Sequence, residues 1–241
     1  MDLVEKTENN HRHPWELSRS YSILNILKKD SGNVIYADIG AGDKFFASKL
    51  KSLNAKTIYA IDTAYRDIRV ERDGIISLND ISCLKDGSVD FFIAMDVLEH
   101  IEDDKVFLCQ VHRKLKTNGQ ILITVPAIQY IFSSHDIFLK HFRRYDKKNI
   151  KNKLDGKFII QKCFYFYSSL LILRIILLLY ERLAHVSVKN VGIGLWRYNN
   201  NTPITRFFYY LLNVDFLLCK KLNDLNIHPL GLSLLIICKK S

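Results

Sequence analysis

Val34-Ile35-Tyr36-Ala37-Asp38-Ile39-Gly40-Ala41-Gly42-Asp43 is the stretch on which the fold turns. A short apolar run with β-branched residues at both ends reads as a strand buried on both faces, as in a parallel sheet. Gly40 and Gly42 follow at once, and a helical segment continues to about Leu53. A glycine turn of this kind permits backbone conformations closed to other residues, lets a ligand approach the main chain, and presents free N–H groups at the helix start. Thr57-Ile58-Tyr59-Ala60-Ile61-Asp62 forms the next strand and ends on a carboxylate twenty residues after Gly42. A carboxylate so placed can accept two hydrogen bonds from ribose hydroxyls.

Outward from this unit the pattern repeats. Strands are expected at Ile75 to Leu78, Val89 to Met95 and Gly119 to Val125, the last halted by Pro126, with a helix from about Asp103 to Lys116 before it. Pro14 to Lys29 fits an amphipathic helix begun by its proline. Residues 158–167 and Leu232 to Cys238 read as two more strands, giving seven. Strands alternating with helices imply an α/β fold with a mainly parallel sheet, whose ligand lies at the carboxyl ends of the strands. Two very apolar helices, at 168–184 and about 204–223, interrupt the last two strands and are joined through a loop around Gly192 to Asn201. The expected organisation is an N-terminal helical cap (1–32), a Rossmann-like core (33–167), an apolar helical insertion (168–228) and the last core strand (229–241).

The 241 residues are 48% hydrophobic and carry 35 Lys and Arg against 25 Asp and Glu, which excludes a disordered tail protein. Ten Gly and four Pro without a fixed period exclude collagen-like and low-complexity classes. The five cysteines are scattered, with no Cys-x-x-Cys pair, and read as reduced residues of a cytoplasmic protein. Residues 1–10 are polar and lack the apolar core of a secretory signal. The net charge of +10 concentrates at Lys140, Arg143, Arg144, Lys147, Lys148, Lys151 and Lys153. Nucleic acid is disfavoured as its target, because no recognised binding module accompanies the patch. No metal-ligand spacing stands out.

Two cofactor classes share the turn and the strand-end acid. A nicotinamide dinucleotide prefers a third glycine where Phe45 stands. Asp38 would also sit poorly beside two phosphates but well beside a sulfonium and an ammonium group. The reading therefore favours S-adenosylmethionine, with a nicotinamide oxidoreductase and a catalytically silent cofactor-binding module as the alternatives.

These residues resemble the class I S-adenosylmethionine-dependent methyltransferases. Asp38-x-Gly40-x-Gly42 is similar to the first motif of that superfamily, with Asp43 where a third glycine is usual, and Ala94 to Ile101 is similar to its fourth. Leu115 to Gln120 resembles the turn before its fifth strand. His13 to Arg19, His135-Asp136-x-x-x-x-His141-x-Arg143-Arg144-Tyr145 and Pro229 to Ser233 are similar to a narrower bacterial, type 11/12-like group. The resemblance implies a seven-stranded sheet with an antiparallel last strand. It also implies a cofactor site at Asp38, Gly40, Ala41, Gly42, Asp62, Asp80, Ile81 and Asp96, with Asp62 on the ribose, Asp80 and Ile81 at the adenine, and Trp15 and Arg19 closing the site.

The acceptor side stays open between readings. His135 or His141, oriented by Asp136, could remove the proton of an oxygen acceptor, an ordinary His pKa being about 6.5; the same groups could instead hold one another as a loop clamp. His100 could act in catalysis or fix its own loop. Arg143, Arg144 and Tyr145 could hold an anionic acceptor, Arg being suited to bidentate contacts, or lie on a solvated face. The apolar stretch Cys163 to Tyr180 carries Arg174 near its centre, which would cost about 2.5–3.5 kcal/mol in a membrane span, so the helices of 168–223 are read as packing, as a lid over a small-molecule or lipid-linked acceptor, or as a peripheral membrane contact.

Overall fold

The computed structural model describes residues 12–28, 32–183 and 199–241. Most of the N-terminal polar stretch and the loop from Gly192 to Tyr198 lie outside them. Helix α1 (Pro14–Leu27) opens on Pro14, and the His13 ring nitrogen Nδ1 accepts the Trp15 N–H at 3.1 Å. Strand β1 (Ile35–Ile39), helix α2 (Phe45–Leu50) and strand β2 (Thr57–Ile61) follow as read from the sequence. The two strands pair in parallel, Ile35 with Thr57 through Ile39 with Ile61.

The chain continues through β3 (Arg69–Val70), β4 (Ile76–Leu78), β5 (Val89–Met95), α3 (Asp104–Lys114) and β6 (Leu115–Pro126). Short helices α4 (Ser134–Phe138) and α5 (Lys147–Leu154) precede β7 (Phe158–Phe166). Helices α6 (Ser168–Leu183) and α7 (Pro203–Asp224) come next, and β8 (Ser233–Lys240) ends the order. The strands line up as β3-β4-β2-β1-β5-β6-β8-β7. All seven expected strands are present. The eighth, β3, is a two-residue edge strand with both residues exposed, too short to show any periodicity. Strand β8 runs antiparallel between β6 and β7, pairing Ile121 with Cys238 and Phe164 with Leu235.

Alternation along the central strands sends apolar side chains into two cores, one on each face. Ile121, Ile123 and Ile236 face α3 and α5 with Leu108, Val111, Tyr145 and Ile150. Leu122, Leu235 and Ile237 face the other way, toward Ile23, Phe46 and Phe216 of α1, α2 and α7. Gly231 shows why β8 can enter between its neighbours: a Cβ there would lie 2.2 Å from the Phe166 carbonyl oxygen.

Helix α7 carries polar residues at Arg206, Asn213, Lys220 and Asp224, and of these only Asn213 is buried. Asn213 is buried and accepts the Ser18 hydroxyl at 3.0 Å, while Phe207, Leu211 and Leu218 are exposed. The reason lies on α1, whose serines face α7; Tyr167 donates to the same Ser18 hydroxyl at 3.0 Å. Asp215 accepts the first N–H groups of α6, from Ser168 at 3.1 Å and Ser169 at 2.8 Å, locking the two helices at one end.

Candidate functional site

The strand order reverses between β1 and β5, and the crevice at their carboxyl ends is where a ligand of such a sheet binds. Gly40 and Gly42 both adopt positive φ, 69° and 50°. At Gly40 a Cβ would approach Val97 Cγ2 to 2.8 Å, so the turn admits no side chain there. The first N–H groups of the turn are held by β2: Gly40 and Ala41 both donate to the Ile61 carbonyl, at 2.8 and 3.1 Å. Asp62 holds the turn with its own side chain, accepting the Gly42 N–H at 2.8 Å through Oδ2 and the Ala64 N–H at 2.9 Å through Oδ1. Tyr65 completes the brace by donating its hydroxyl to the Gly42 carbonyl at 2.7 Å. Asp43, in place of a third glycine, keeps an ordinary φ because the left-handed residue is Lys44, at φ 66°. Asp43 Oδ1 accepts the Phe45 N–H at 3.2 Å at the start of α2.

Helix α1 closes over this turn. Arg12 pairs with both Glu16 and Asp43 and lies 3.7 Å above the Phe45 ring. Arg19, stacked 4.0 Å from the Trp15 ring, pairs with Asp96. Asp96 itself sits at φ 53°, a strained conformation of the kind that gathers at functional sites, and accepts the Thr124 hydroxyl at 3.0 Å. Trp15 and Arg19 were expected here only from the resemblance; Arg12, Tyr65 and Thr124 were not, because their partners Asp43, Gly42 and Asp96 lie 31, 23 and 28 residues away.

Between α1 and the turn is a cavity lined by Glu16, Arg19, Asp38, Gly40, Phe46 and Met95, among others. Asp38 is 2% exposed, and its Oδ2 has no hydrogen-bond partner. Burial pushes its carboxyl up from 3.8 to about 7, against the opposing charge of Arg19 and a hydrogen bond from Ala47. A buried carboxylate oxygen left over in a cavity is an acceptor waiting for a cationic donor. Beyond β4, Asp80 accepts the Ser82 N–H at 2.7 Å and starts a short 3₁₀ turn, in which Ile81 is buried; neither residue lines the cavity between α1 and the turn.

The residues expected on the acceptor side fall into two polar groups, one around Asp136 and one around Asp104. Asp136 is fully buried and accepts from Arg144 Nε at 2.7 Å and from the Ser133 N–H at 3.0 Å, and its Oδ1 lies 3.1 Å from His141 Nδ1. Burial opposes ionisation of Asp136, yet His141 and Arg144 outweigh it and hold the carboxyl at about 2. His135, on the same short helix, is lowered by burial and by the charge of Arg174. Arg143 donates to the Ile101 and Glu102 carbonyls at 3.1 and 2.9 Å and pairs with Asp104 at 3.0 Å. The Tyr145 hydroxyl is buried between the Leu98 carbonyl, at 3.0 Å, and Asp104, at 2.9 Å. The structure therefore brings His141, Asp136 and Arg144 together. It ties Arg143 and Tyr145 to the loop after β5 and to α3, so both are engaged inside the protein and not directed at solvent.

Residues 37–123, spanning β1 through the middle of β6, match the family model described as a methyltransferase domain. These residues, about a third of the chain, form a methyltransferase domain. S-adenosylmethionine is the cofactor that a methyltransferase domain on this fold calls for, which sets aside the nicotinamide reading. An S-adenosylmethionine-dependent methyltransferase from Archaeoglobus fulgidus shares the fold with 17% identity, over 92% of this chain and 94% of its own, at a TM-score of 0.52. Another from Mesorhizobium loti has 14% identity over 91% of this chain and 97% of its own, at a TM-score of 0.54. The 4+2 cyclase SpnF matches 98% of this chain and 86% of its own with 17% identity and a TM-score of 0.58. At such identities the likeness is one of fold. No curated protein matches the methyltransferase significantly.

The residues present fit this cofactor. Its methionine end carries an ammonium group, the donor that Asp38 Oδ2 lacks within the protein. The glycine turn offers backbone next to the same cavity.

Proposed function

We propose that this enzyme transfers the methyl group of S-adenosylmethionine to an oxygen of a small-molecule or lipid-linked anionic acceptor. The observation that carries the cofactor pose is the buried, unpartnered Oδ2 of Asp38 in the cavity under the glycine turn. In this pose the ammonium group meets Asp38, and the cofactor lies over Gly40, Ala41 and Gly42. The ribose takes the remaining lone pairs of Asp62, the adenine lies at Asp80 and Ile81, and Asp96 with Arg19 borders the methionine end. The cofactor supplies an electrophilic methyl on a sulfonium. The chain's part is to hold that methyl in line with the acceptor oxygen, since positioning alone removes much of the barrier of such a displacement.

The acceptor enters on the side of His141. Asp136 engages the Nδ1 side of the His141 ring at 3.1 Å, which leaves Nε2 as the nitrogen for a base or ligand role. His135 stands on the same helix as Asp136, as a second imidazole near that mouth. Arg144 fixes Asp136, and Arg143 with Tyr145 fixes the loop after β5, so these three support an anionic acceptor's site by holding its walls.

An apolar acceptor, or a peripheral contact with the inner face of a membrane, is supported by α6 and α7. Ile172, Ile176 and Tyr180 of the first and Phe207, Tyr210 and Leu217 of the second are exposed. Among the described residues no helix is long and apolar enough to cross a membrane. The test is incubation with methyl-labelled S-adenosylmethionine and fractionated lipid and small-molecule extracts. Label in an acidic or lipid fraction as a base-stable ether or a base-labile ester supports the reading; label confined to amines overturns the oxygen assignment.

A further inference from the structure

The loop that follows β5 and the loop that follows α4 meet at a point the proposed function does not explain. Glu99 is completely buried, and neither Oε1 nor Oε2 has a hydrogen-bond partner. A carboxylate removed from water with both oxygens unsatisfied is costly, and such a group in a native fold calls for a cation or another ligand to account for it. Around it stand two imidazoles. His100 follows in the same 3₁₀ turn, Leu98–His100, and His141 arrives from the other loop, whose Phe142 N–H donates to the Glu99 carbonyl at 2.8 Å. The two rings meet edge to face with centroids 4.7 Å apart. One ligand atom from each of Glu99, His100 and His141 lies within 4.8 Å of the other two.

We propose that Glu99, His100 and His141 bind a divalent transition-metal ion of the zinc class. Two imidazoles and one carboxylate form the donor set of three-ligand zinc sites, which keep a further position open for water or substrate. At metal–ligand distances of about 2.0–2.1 Å, tetrahedral ligand atoms lie about 3.3 Å apart, so side-chain shifts of up to about 1.5 Å close the cluster around an ion. A second layer is already built. Asp136 takes the Nδ1 side of His141 at 3.1 Å and is itself fixed by Arg144 and Ser133. That is the carboxylate–histidine arrangement that sets the tautomer and aims Nε2 at a metal.

The consequence for chemistry rests on the proposed methyl transfer to oxygen. Arg19 lines the cofactor cavity and lies within electrostatic reach of Glu99 as well as Asp38, which puts the cluster on the Arg19 side of that cavity. An acceptor hydroxyl taking the open position would lose its proton to solvent more readily. A lone pair of that oxygen then forms the bond to the methyl carbon as the carbon–sulfur bond breaks. Its electron pair returns to sulfur, leaving S-adenosylhomocysteine. The acceptor class this selects is a hydroxyl flanked by a second oxygen donor, which can chelate the ion.

The test uses the untagged full chain, stripped with a chelator and titrated with Co²⁺ by its visible ligand-field bands, and with Zn²⁺ by equilibrium dialysis. One equivalent is expected to bind with saturating ligand-field bands. His100→Ala and Glu99→Gln should each lose at least about a hundredfold in affinity, and Asp136→Asn, which touches no metal, about tenfold to a hundredfold. Circular dichroism and S-adenosylmethionine binding of each variant separate loss of the site from loss of the fold. Absence of stoichiometric Co²⁺ binding by the parent chain, or equal affinity in the parent and a folded His100→Ala, overturns the proposal. Stoichiometric metal binding without methyl transfer to any oxygen acceptor would leave the site standing and remove the proposed acceptor chemistry; methyl transfer to oxygen by metal-free enzyme at the metal-loaded rate would keep the proposed function and remove the metal's part in the step.

Discussion

Replacing Asp38 by Asn should make the cofactor-free enzyme more stable and the cofactor-bound enzyme weaker. The side chain is 2% exposed and its carboxyl is raised from 3.8 to about 7, chiefly by burial. At about 1.36 kcal/mol per pH unit, that gap corresponds to roughly 4 kcal/mol of strain when the group is ionised. Because the folded-state value is raised, the folded protein holds a proton that the unfolded chain has released. Stability is therefore lost as pH rises from about 4 to about 7 and stays lost above it. The neutral amide should remove this penalty above pH 7 and change little near pH 4. If half of it is recovered, about 2 kcal/mol, a chain of this size should melt roughly 4–8 °C higher at pH 8. Cofactor binding should move the opposite way, since an ammonium left without its buried carboxylate costs about 3–5 kcal/mol, or roughly a hundredfold to five-thousandfold in affinity. Differential scanning fluorimetry from pH 5 to 8 and calorimetric titration with S-adenosylmethionine read both arms. Equal melting of parent and variant at pH 8, or unchanged cofactor affinity, would refute the reasoning.

Asp62→Ala should weaken cofactor binding and loosen the glycine turn together, because the carboxylate holds the Gly42 and Ala64 N–H groups; calorimetry showing parental affinity would sink the ribose assignment. Gly231→Ala places a Cβ 2.2 Å from a backbone oxygen and should destabilise by more than about 1–3 kcal/mol, the usual cost of overpacking, read as a lowered denaturant midpoint. Tyr145→Phe removes a buried hydroxyl shared by Leu98 and Asp104 and should cost about 1–3 kcal/mol of stability in urea. In flotation with vesicles containing anionic lipid, the parent chain should associate, and Phe207→Ser with Leu217→Ser should reduce it severalfold; equal association would argue against the α6–α7 face as the contact.

The alternating core was legible because each strand declares itself within a few residues. Strand β1, its glycine turn and β2 need only local sequence: an apolar run, two residues able to take positive φ, and a strand-end acid. The edge strand β3 was not legible, since two exposed residues carry no period. Helix α7 was seen as a helix, but the burial of Asn213 was not, because its partner Ser18 lies 195 residues away. Arg143, Arg144 and Tyr145 read equally as an anion site or a clamp, and their partners, Asp104, Asp136 and Ala127, are known only once the loops have closed.

The sequence by itself determined the α/β class, the order of its main strands and helices, the glycine turn after β1 and the strand-end acid after β2, all products of hydrophobic period and glycine freedom acting over short distances. The tertiary structure decided what the polar residues do. It left Asp38 Oδ2 without a partner, laid Arg12 and Arg19 over the turn, and brought His141 to Glu99 and His100 across forty residues of chain. Periodicity fixes which face is buried; a charge or an imidazole acquires its role only from the groups that folding sets within a few ångströms of it.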